Sequence, residues 1–112
     1  MIGKPAVLTL AIAVVAILLT GQTGLEQPNR IVLDDQFGCV TKESYDEAIN
    51  AAVRKDMRGF AYLFTSQRCL FLPRGTEVSI LDQGWMGWVK LRVYVGADAF
   101  VVWANREAVY GK

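Results

Sequence analysis

Residues 88–95 read WVKLRVYV and give the clearest alternation of apolar and polar positions in the chain. Strict alternation over a run of this length predicts a β-strand with one buried face and one polar face. The predicted buried face consists of Val89, Leu91, Val93 and Val95. The opposite face consists of Trp88, Lys90, Arg92 and Tyr94.

Shorter strands and tight turns surround this strand. We predict strands at residues 69–72, 77–80 and 99–103, and a helical turn at 105–109. Gly-containing turns separate them, at residues 73–75, 82–84 and 96–98. Four or five short strands within about 40 residues indicate a small closed barrel or a strongly curled sheet.

A helical pattern precedes the strands. Apolar residues at i, i+3, i+4, i+7 and i+8 form one stripe, made of Tyr45, Ala48, Ile49, Ala52 and Val53. Thr41 or Ser44 is the predicted N-cap, and a second short helix should start near Asp56. Residues 39–69 are therefore predicted to form a helical hairpin, with Phe60 and Phe64 in its core.

The N-terminus is different in character. Residues 6–19 read AVLTLAIAVVAILL, follow Lys4, and precede small polar residues, a pattern typical of a secretory signal. A buried core helix is the alternative, although a run that is apolar on every face at the chain start favours export. We predict that residues 1–24 are a signal peptide, or a retained membrane anchor if uncleaved, with membrane contact then through residues 5–24. Everything after about residue 25 should lie outside the cytoplasm, in the periplasm or extracellular space, secreted or held at the inner membrane.

Residues 25–38 read as a linker, with a short strand at Ile31–Leu33. Asp34 and Asp35 within it form an adjacent carboxylate pair, which we interpret as solvated loop charge rather than as an acid–base pair.

The two cysteines allow one intramolecular pairing, Cys39 with Cys69. Exported domains lie in oxidising compartments, where an even number of cysteines predicts a disulfide. A reactive thiol or redox pair is the alternative. The chain has neither a C-x-x-C motif nor a histidine to activate a thiolate, which favours the structural disulfide.

Composition excludes several functions. The chain has 112 residues, a formal net charge of +1 and no histidine, so no imidazole can act as base or metal ligand. Two cysteines alone cannot form a closed zinc site, and we predict no metal and no cofactor. Of the 12 basic residues, only Lys4 precedes residue 25, so residues 25–112 carry 11 basic and 11 acidic side chains. That balance argues against a nucleic-acid partner.

The last part of the chain resembles a bacterial SH3-like domain. The similarity lies in residues 72–81 (LPRGTEVSIL), 88–93 (WVKLRV) and 100–104 (FVVWA), within about residues 70–110. The Cys-flanked helical hairpin is similar to that of small uncharacterised exported proteins of proteobacteria. With the patterns described above, the resemblance predicts an α+β chain: a signal or anchor helix, a helical hairpin over 39–69, and an SH3-like antiparallel β-barrel over 70–112. It also implies a non-catalytic binding module for peptides or cell-wall glycan.

Five residues are the candidate binding site: Trp85, Trp88, Lys90, Arg92 and Tyr94. Together they would form an aromatic and cationic stripe beside a loop made flexible by Gly84 and Gly87, suited to an acidic peptide or to peptidoglycan carboxylates. In the alternative arrangement Trp88 packs under the helical hairpin, and Trp103 is expected in the core. Three functions follow from this: an exported module binding an envelope protein or peptidoglycan, a small inhibitor or protective factor acting on a partner enzyme, and a hydrolase using carboxylates alone. No acidic residue is embedded in an apolar strand, which disfavours the hydrolase, and we expect no enzymatic activity.

Overall fold

The computed structural model describes residues 29–112, and the predicted signal or anchor at residues 1–24 lies outside them. The described part is an α+β fold with one six-stranded antiparallel sheet and a helical hairpin. The strands are β1 (Asn29–Arg30), β2 (Gln36–Cys39), β3 (Cys69–Leu72), β4 (Glu77–Gln83), β5 (Trp88–Val95) and β6 (Asp98–Asn105). The helices are α1 (Lys42–Val53), α2 (Met57–Thr65) and the short α3 (Glu107–Tyr110).

Strand β5 has the limits that its alternation predicts. Its aliphatic residues Val89, Leu91 and Val93 are at most 1% exposed, while the intervening residues are half-buried or exposed. Val95, predicted to be buried, is 55% exposed. It pairs with Asp98 at the turn from β5 to β6, at the very end of the strand.

The sheet curls until its two ends share one core. The strand order is β1-β4-β5-β6-β2-β3, so β1 and β3 are the edge strands. Ile31, which follows β1, and Leu72, which ends β3, nevertheless belong to the same buried cluster. The Gly75 amide, after β3, donates a hydrogen bond of 2.8 Å to the Ile31 carbonyl. Val78 of β4 and Val102 of β6 complete this interior with the residues of β5.

Helix α1 begins at the predicted cap. The Thr41 side chain accepts a hydrogen bond of 3.0 Å from the Ser44 amide. The buried face differs from the predicted stripe, because Ser44 and Ala51 are buried, whereas Ala52 is exposed and Val53 is 75% exposed. The stripe therefore ends one turn early, where α1 gives way to the connection to α2.

Helix α2 follows after a short connection. Asp56 is its N-cap, as the sequence indicates, and its Oδ1 accepts a hydrogen bond of 3.0 Å from the Gly59 amide. Lys55 has a φ of 60° and so takes the left-handed conformation that reverses the chain between the two helices. No helix within residues 29–112 is long and apolar enough to cross a membrane.

The predicted disulfide is confirmed. Cys39 and Cys69 are bonded, 0% and 2% exposed, and are register partners in the pairing of β2 with β3. The helical hairpin thus leaves and rejoins the sheet at one point. Around the bond lies a second apolar cluster, here called the disulfide cluster, which contains Tyr45, Ala48 and Leu63 and contacts Trp88 and Trp103, with Phe37, Phe60 and Phe64 also packed against it.

The region predicted as a linker contributes to the sheet. In its described residues, Asn29 and Arg30 pair with β4, and residues 36–38 belong to β2, which pairs with both β3 and β6. The strand predicted at Ile31–Leu33 does not form. Instead, β1 ends just before this segment and β2 begins after it. Ile31 is buried, and its amide donates to the Thr76 carbonyl at 2.9 Å.

Candidate functional site

The turn between β4 and β5 projects two large apolar side chains into solvent. Trp85 is 92% exposed and Met86 is 70% exposed. Gly84 N donates to Trp88 O at 3.0 Å, Gly87 N donates to Gly84 O at 3.3 Å, and Arg106 N donates to Gly87 O at 2.8 Å. We call residues 84–87 the Trp85 turn. These hydrogen bonds close the turn and join it to the residue that follows β6, so they hold the backbone that carries Trp85.

The Trp85 turn requires glycine at both position 84 and position 87. A Cβ at Gly84 would clash with Cε2 and Nε1 of Trp88, so the Gly84 backbone packs directly against that indole. Gly87 has a φ of 91°, a conformation that residues with a Cβ rarely adopt.

Trp88 has a different environment from Trp85. It is half-buried against the disulfide cluster. Lys42, at the start of α1, places its Nζ 5.7 Å from the centre of the Trp88 ring. The same Nζ lies 3.0 Å from both carboxylate oxygens of Asp46, one turn along the helix.

A groove of about 770 Å³ lies between α1, the Trp85 turn and the segment that joins β6 to α3. Its lining includes Tyr45, Asn50, Met86, Trp88, Asn105 and Arg106. We call it the Trp88 groove. Met86 belongs to both features, since it lines the groove and projects from the turn. A lining that combines aromatic and amide side chains suits a ligand that is partly apolar and partly hydrogen-bonding.

The charges of the Trp88 groove balance. Its lining includes two cationic side chains, Lys42 and Arg106, and two carboxylate side chains, Asp46 and Glu107. Lys42 is paired with Asp46, and the Arg106 guanidinium lies over the Tyr110 ring at 5.2 Å. Burial, and then the neighbouring Asp46 carboxylate, raise the pKa of the Tyr45 hydroxyl. Tyr45 therefore stays protonated and neutral throughout the physiological pH range.

The five residues of the predicted stripe lie in different environments. Trp88 lines the Trp88 groove, whereas Trp85, in the adjoining turn, projects into solvent and is not part of the lining. Lys90 is half-buried, with its Nζ 5.2 Å from the centre of the Trp103 ring. Trp103 is itself half-buried against the disulfide cluster.

The remaining two stripe residues lie toward the far end of β5. Arg92 is exposed, and Tyr94 is half-buried. The Tyr94 hydroxyl lies 2.8 Å from Ser79 Oγ, on the neighbouring strand β4. Of the five stripe residues Trp88 alone lines the Trp88 groove, so the structure does not bring the predicted stripe together as one site.

Several groove residues were not among the sequence candidates. Lys42, Asp46 and Asn50 come from α1, Asn105 ends β6, and Arg106 precedes α3. The i, i+4 spacing of Lys42 and Asp46 indicates a surface ion pair on a helix, but nothing in it indicates Trp88 as a neighbour.

Comparison with known protein families, with curated proteins and with solved structures gives no match for this chain. Within residues 29–112, no group of three or more cysteine or acidic side chains is placed to hold a metal ion.

Proposed function

We propose that this chain is a small exported interaction module of the bacterial cell envelope, which binds a protein or a cell-wall ligand at the Trp88 groove. The observation that carries the proposal is the 92% exposed Trp85 on a hydrogen-bonded turn beside that groove. Large exposed aromatic side chains in fixed positions are typical anchors of binding surfaces, because little conformational freedom is lost when they bind.

The proposal includes an SH3-like β-barrel that is built from residues 70–112 together with β1 and β2. The sequence motifs in residues 72–81, 88–93 and 100–104 support it. The curled antiparallel sheet, whose edge strands contribute to one core, is consistent with such a barrel. Residues 39–69 then form a helical hairpin that supplies one wall of the groove.

The proposed location is the periplasm or the extracellular space. The apolar run at residues 6–19 supports export, either with cleavage or as an inner-membrane anchor. The bond between Cys39 and Cys69 is consistent with an oxidising compartment.

The proposed module is not an enzyme. The chain has no histidine to serve as a general base near neutral pH. Lys42 and Asp46 of the groove are bonded to each other, which suits a fixed binding wall better than proton transfer.

An inhibitor or protective factor acting on a partner enzyme is the second candidate. The Trp85 turn favours it, because a fixed turn that presents two apolar side chains has the form of an element that enters a cleft.

A pair of substitutions on α1 tests the proposed site. Asn50 lines the Trp88 groove and Ala52 does not, although both are exposed on the same helix. Asn50→Arg should fill the groove and reduce binding at least about tenfold, whereas Ala52→Arg should leave it unchanged within about twofold. Sedimentation with purified sacculi and affinity capture from the envelope fraction are the two measurements, made with the full-length chain.

The two measurements separate the ligands. Pelleting with sacculi that Asn50→Arg abolishes assigns the groove to cell wall, and a defined captured protein lost in the same variant assigns it to a partner. Equal behaviour of Asn50→Arg and Ala52→Arg in both assays would contradict a binding role for the groove.

A further inference from the structure

The Trp85 turn and the Trp88 groove form one continuous surface with a projection and a hollow. Met86 joins them, because its side chain lines the hollow while remaining 70% exposed on the projection. A ligand that covers both must have a complementary shape, with a pocket for the projection and a protrusion that fits the hollow. A bilayer surface is too smooth to fill the groove, and a single glycan strand offers no cavity to enclose Trp85.

The projection is preorganised. Three backbone hydrogen bonds, from Gly84, Gly87 and Arg106, hold the Trp85 turn. The contact between Gly84 and the Trp88 indole fixes the turn against the body of the protein. Few backbone conformations are then lost when Trp85 is buried by a partner, which favours affinity.

The charge distribution indicates the chemistry of the partner surface. Asp46 neutralises Lys42 next to Trp88, and the groove holds equal numbers of cationic and carboxylate side chains. An acidic or a basic ligand would gain no net attraction there. The complementary surface is therefore apolar at its centre and polar but balanced in charge at its rim, which is the composition of protein–protein interfaces.

We propose that the Trp85 turn inserts into an apolar pocket on a folded protein partner, with Trp85 as the principal anchor and the Trp88 groove receiving an adjoining segment of that partner. This inference rests on the proposed function and deepens it, since it selects a protein over a cell-wall ligand. It is independent of the SH3-like resemblance, because the motifs of that resemblance do not include Trp85.

Site-specific photocrosslinking in the native host tests the contact. The full-length chain carries benzoylphenylalanine either at position 85 or at position 53, where Val53 is also apolar and 75% exposed. The expected result is a discrete crosslinked protein from position 85 that is absent from position 53.

The protein identified in that way is then purified and its Kd measured against defined variants. Trp85→Ala should weaken binding at least about 30-fold, Trp85→Phe less, and Val53→Ala by less than about twofold. The melting temperatures of all variants should match that of the wild type, because both positions are exposed.

Two further titrations test ligands other than a protein. Phosphatidylethanolamine–phosphatidylglycerol vesicles and purified sacculi are titrated while the tryptophan emission of the wild type is compared with that of Trp85→Phe. A Trp85-dependent blue shift with either would overturn the inference in favour of a lipid or wall surface.

The remaining outcomes are also decisive. No discrete product at position 85, or the same product at position 53, overturns the inference. A partner that binds Trp85→Ala normally but not Asn50→Arg would overturn the role of Trp85 and leave the groove function standing. If neither a protein nor sacculi bind in a groove-dependent way, both this inference and the proposed function are wrong.

Discussion

At the scale of single residues, two tryptophans three positions apart have opposite environments. Trp85 is 92% exposed, whereas Trp88 lies half-buried between the disulfide cluster and Gly84. The sequence predicts both as candidates because each follows a glycine in a turn region. The alternative arrangement, in which Trp88 packs under the helical hairpin, is the one that separates them, and the structure places Trp88 against residues of that hairpin.

Gly84→Ala tests how closely the turn packs on Trp88. Its Cβ would lie 2.2 Å from the indole, so the ring or the turn must move. We expect a loss of about 1–3 kcal/mol in the free energy of unfolding, measured by urea denaturation.

A double-mutant cycle provides the control for that substitution. The smaller ring in Trp88→Phe leaves space for the added methyl group, so Gly84→Ala should be less destabilising in that background. An equal loss in both backgrounds would show that the indole is not the source of the clash.

At the scale of elements, the alternation of apolar residues and the capping residues predict where β5 and the helices begin. The pattern of apolar residues predicts the buried helix face and the short strands less accurately. β5 spans residues 88–95 as predicted, because an eight-residue alternation permits only one buried face. The buried face of α1 ends early, because Val53 lies beyond the part of the helix that covers the disulfide. β1 is two residues long and exists through its pairing with β4, so no local pattern could reveal it.

The cap of α2 gives a prediction at this scale. Asp56→Ala removes the acceptor of the Gly59 amide and should reduce the free energy of unfolding by about 0.5–2 kcal/mol. Asp56→Ser should recover most of the loss, because its hydroxyl can accept the same hydrogen bond. Arg58→Ala, an exposed change in the same turn of helix, serves as the control, and chemical denaturation is the measurement. An equal loss for Arg58→Ala and Asp56→Ala would rule out the cap as the cause.

At the scale of the whole molecule, the sequence predicted the class of fold and the disulfide, but not the groove. The disulfide was predictable because two cysteines allow a single intramolecular pairing. The groove was not, because it joins α1, the Trp85 turn and the end of β6, which are far apart in sequence. Strand order alone also leaves the curl of the sheet undefined, since the shared core of Ile31 and Leu72 is a property of the assembled fold.

Removal of the disulfide tests the stability of the whole fold. The sequence separation of the two cysteines is 30 residues. Replacing both with alanine should lower the free energy of unfolding by about 3–4 kcal/mol on a chain-entropy treatment. Thermal melts followed by circular dichroism, for this variant and for the reduced wild type, measure the effect. A loss below about 1 kcal/mol in both would contradict a major stabilising role for the bond.

The position of that disulfide has one more consequence, which concerns proteolysis. Arg54 and Lys55 are exposed at the junction of the two helices, and both lie within the stretch that Cys39 and Cys69 enclose. A trypsin-like protease cutting there would produce two fragments that remain covalently joined, each still paired in the sheet through β2 and β3. The nicked protein would migrate as one species until it is reduced, so such a protease would open the helical hairpin without releasing either half.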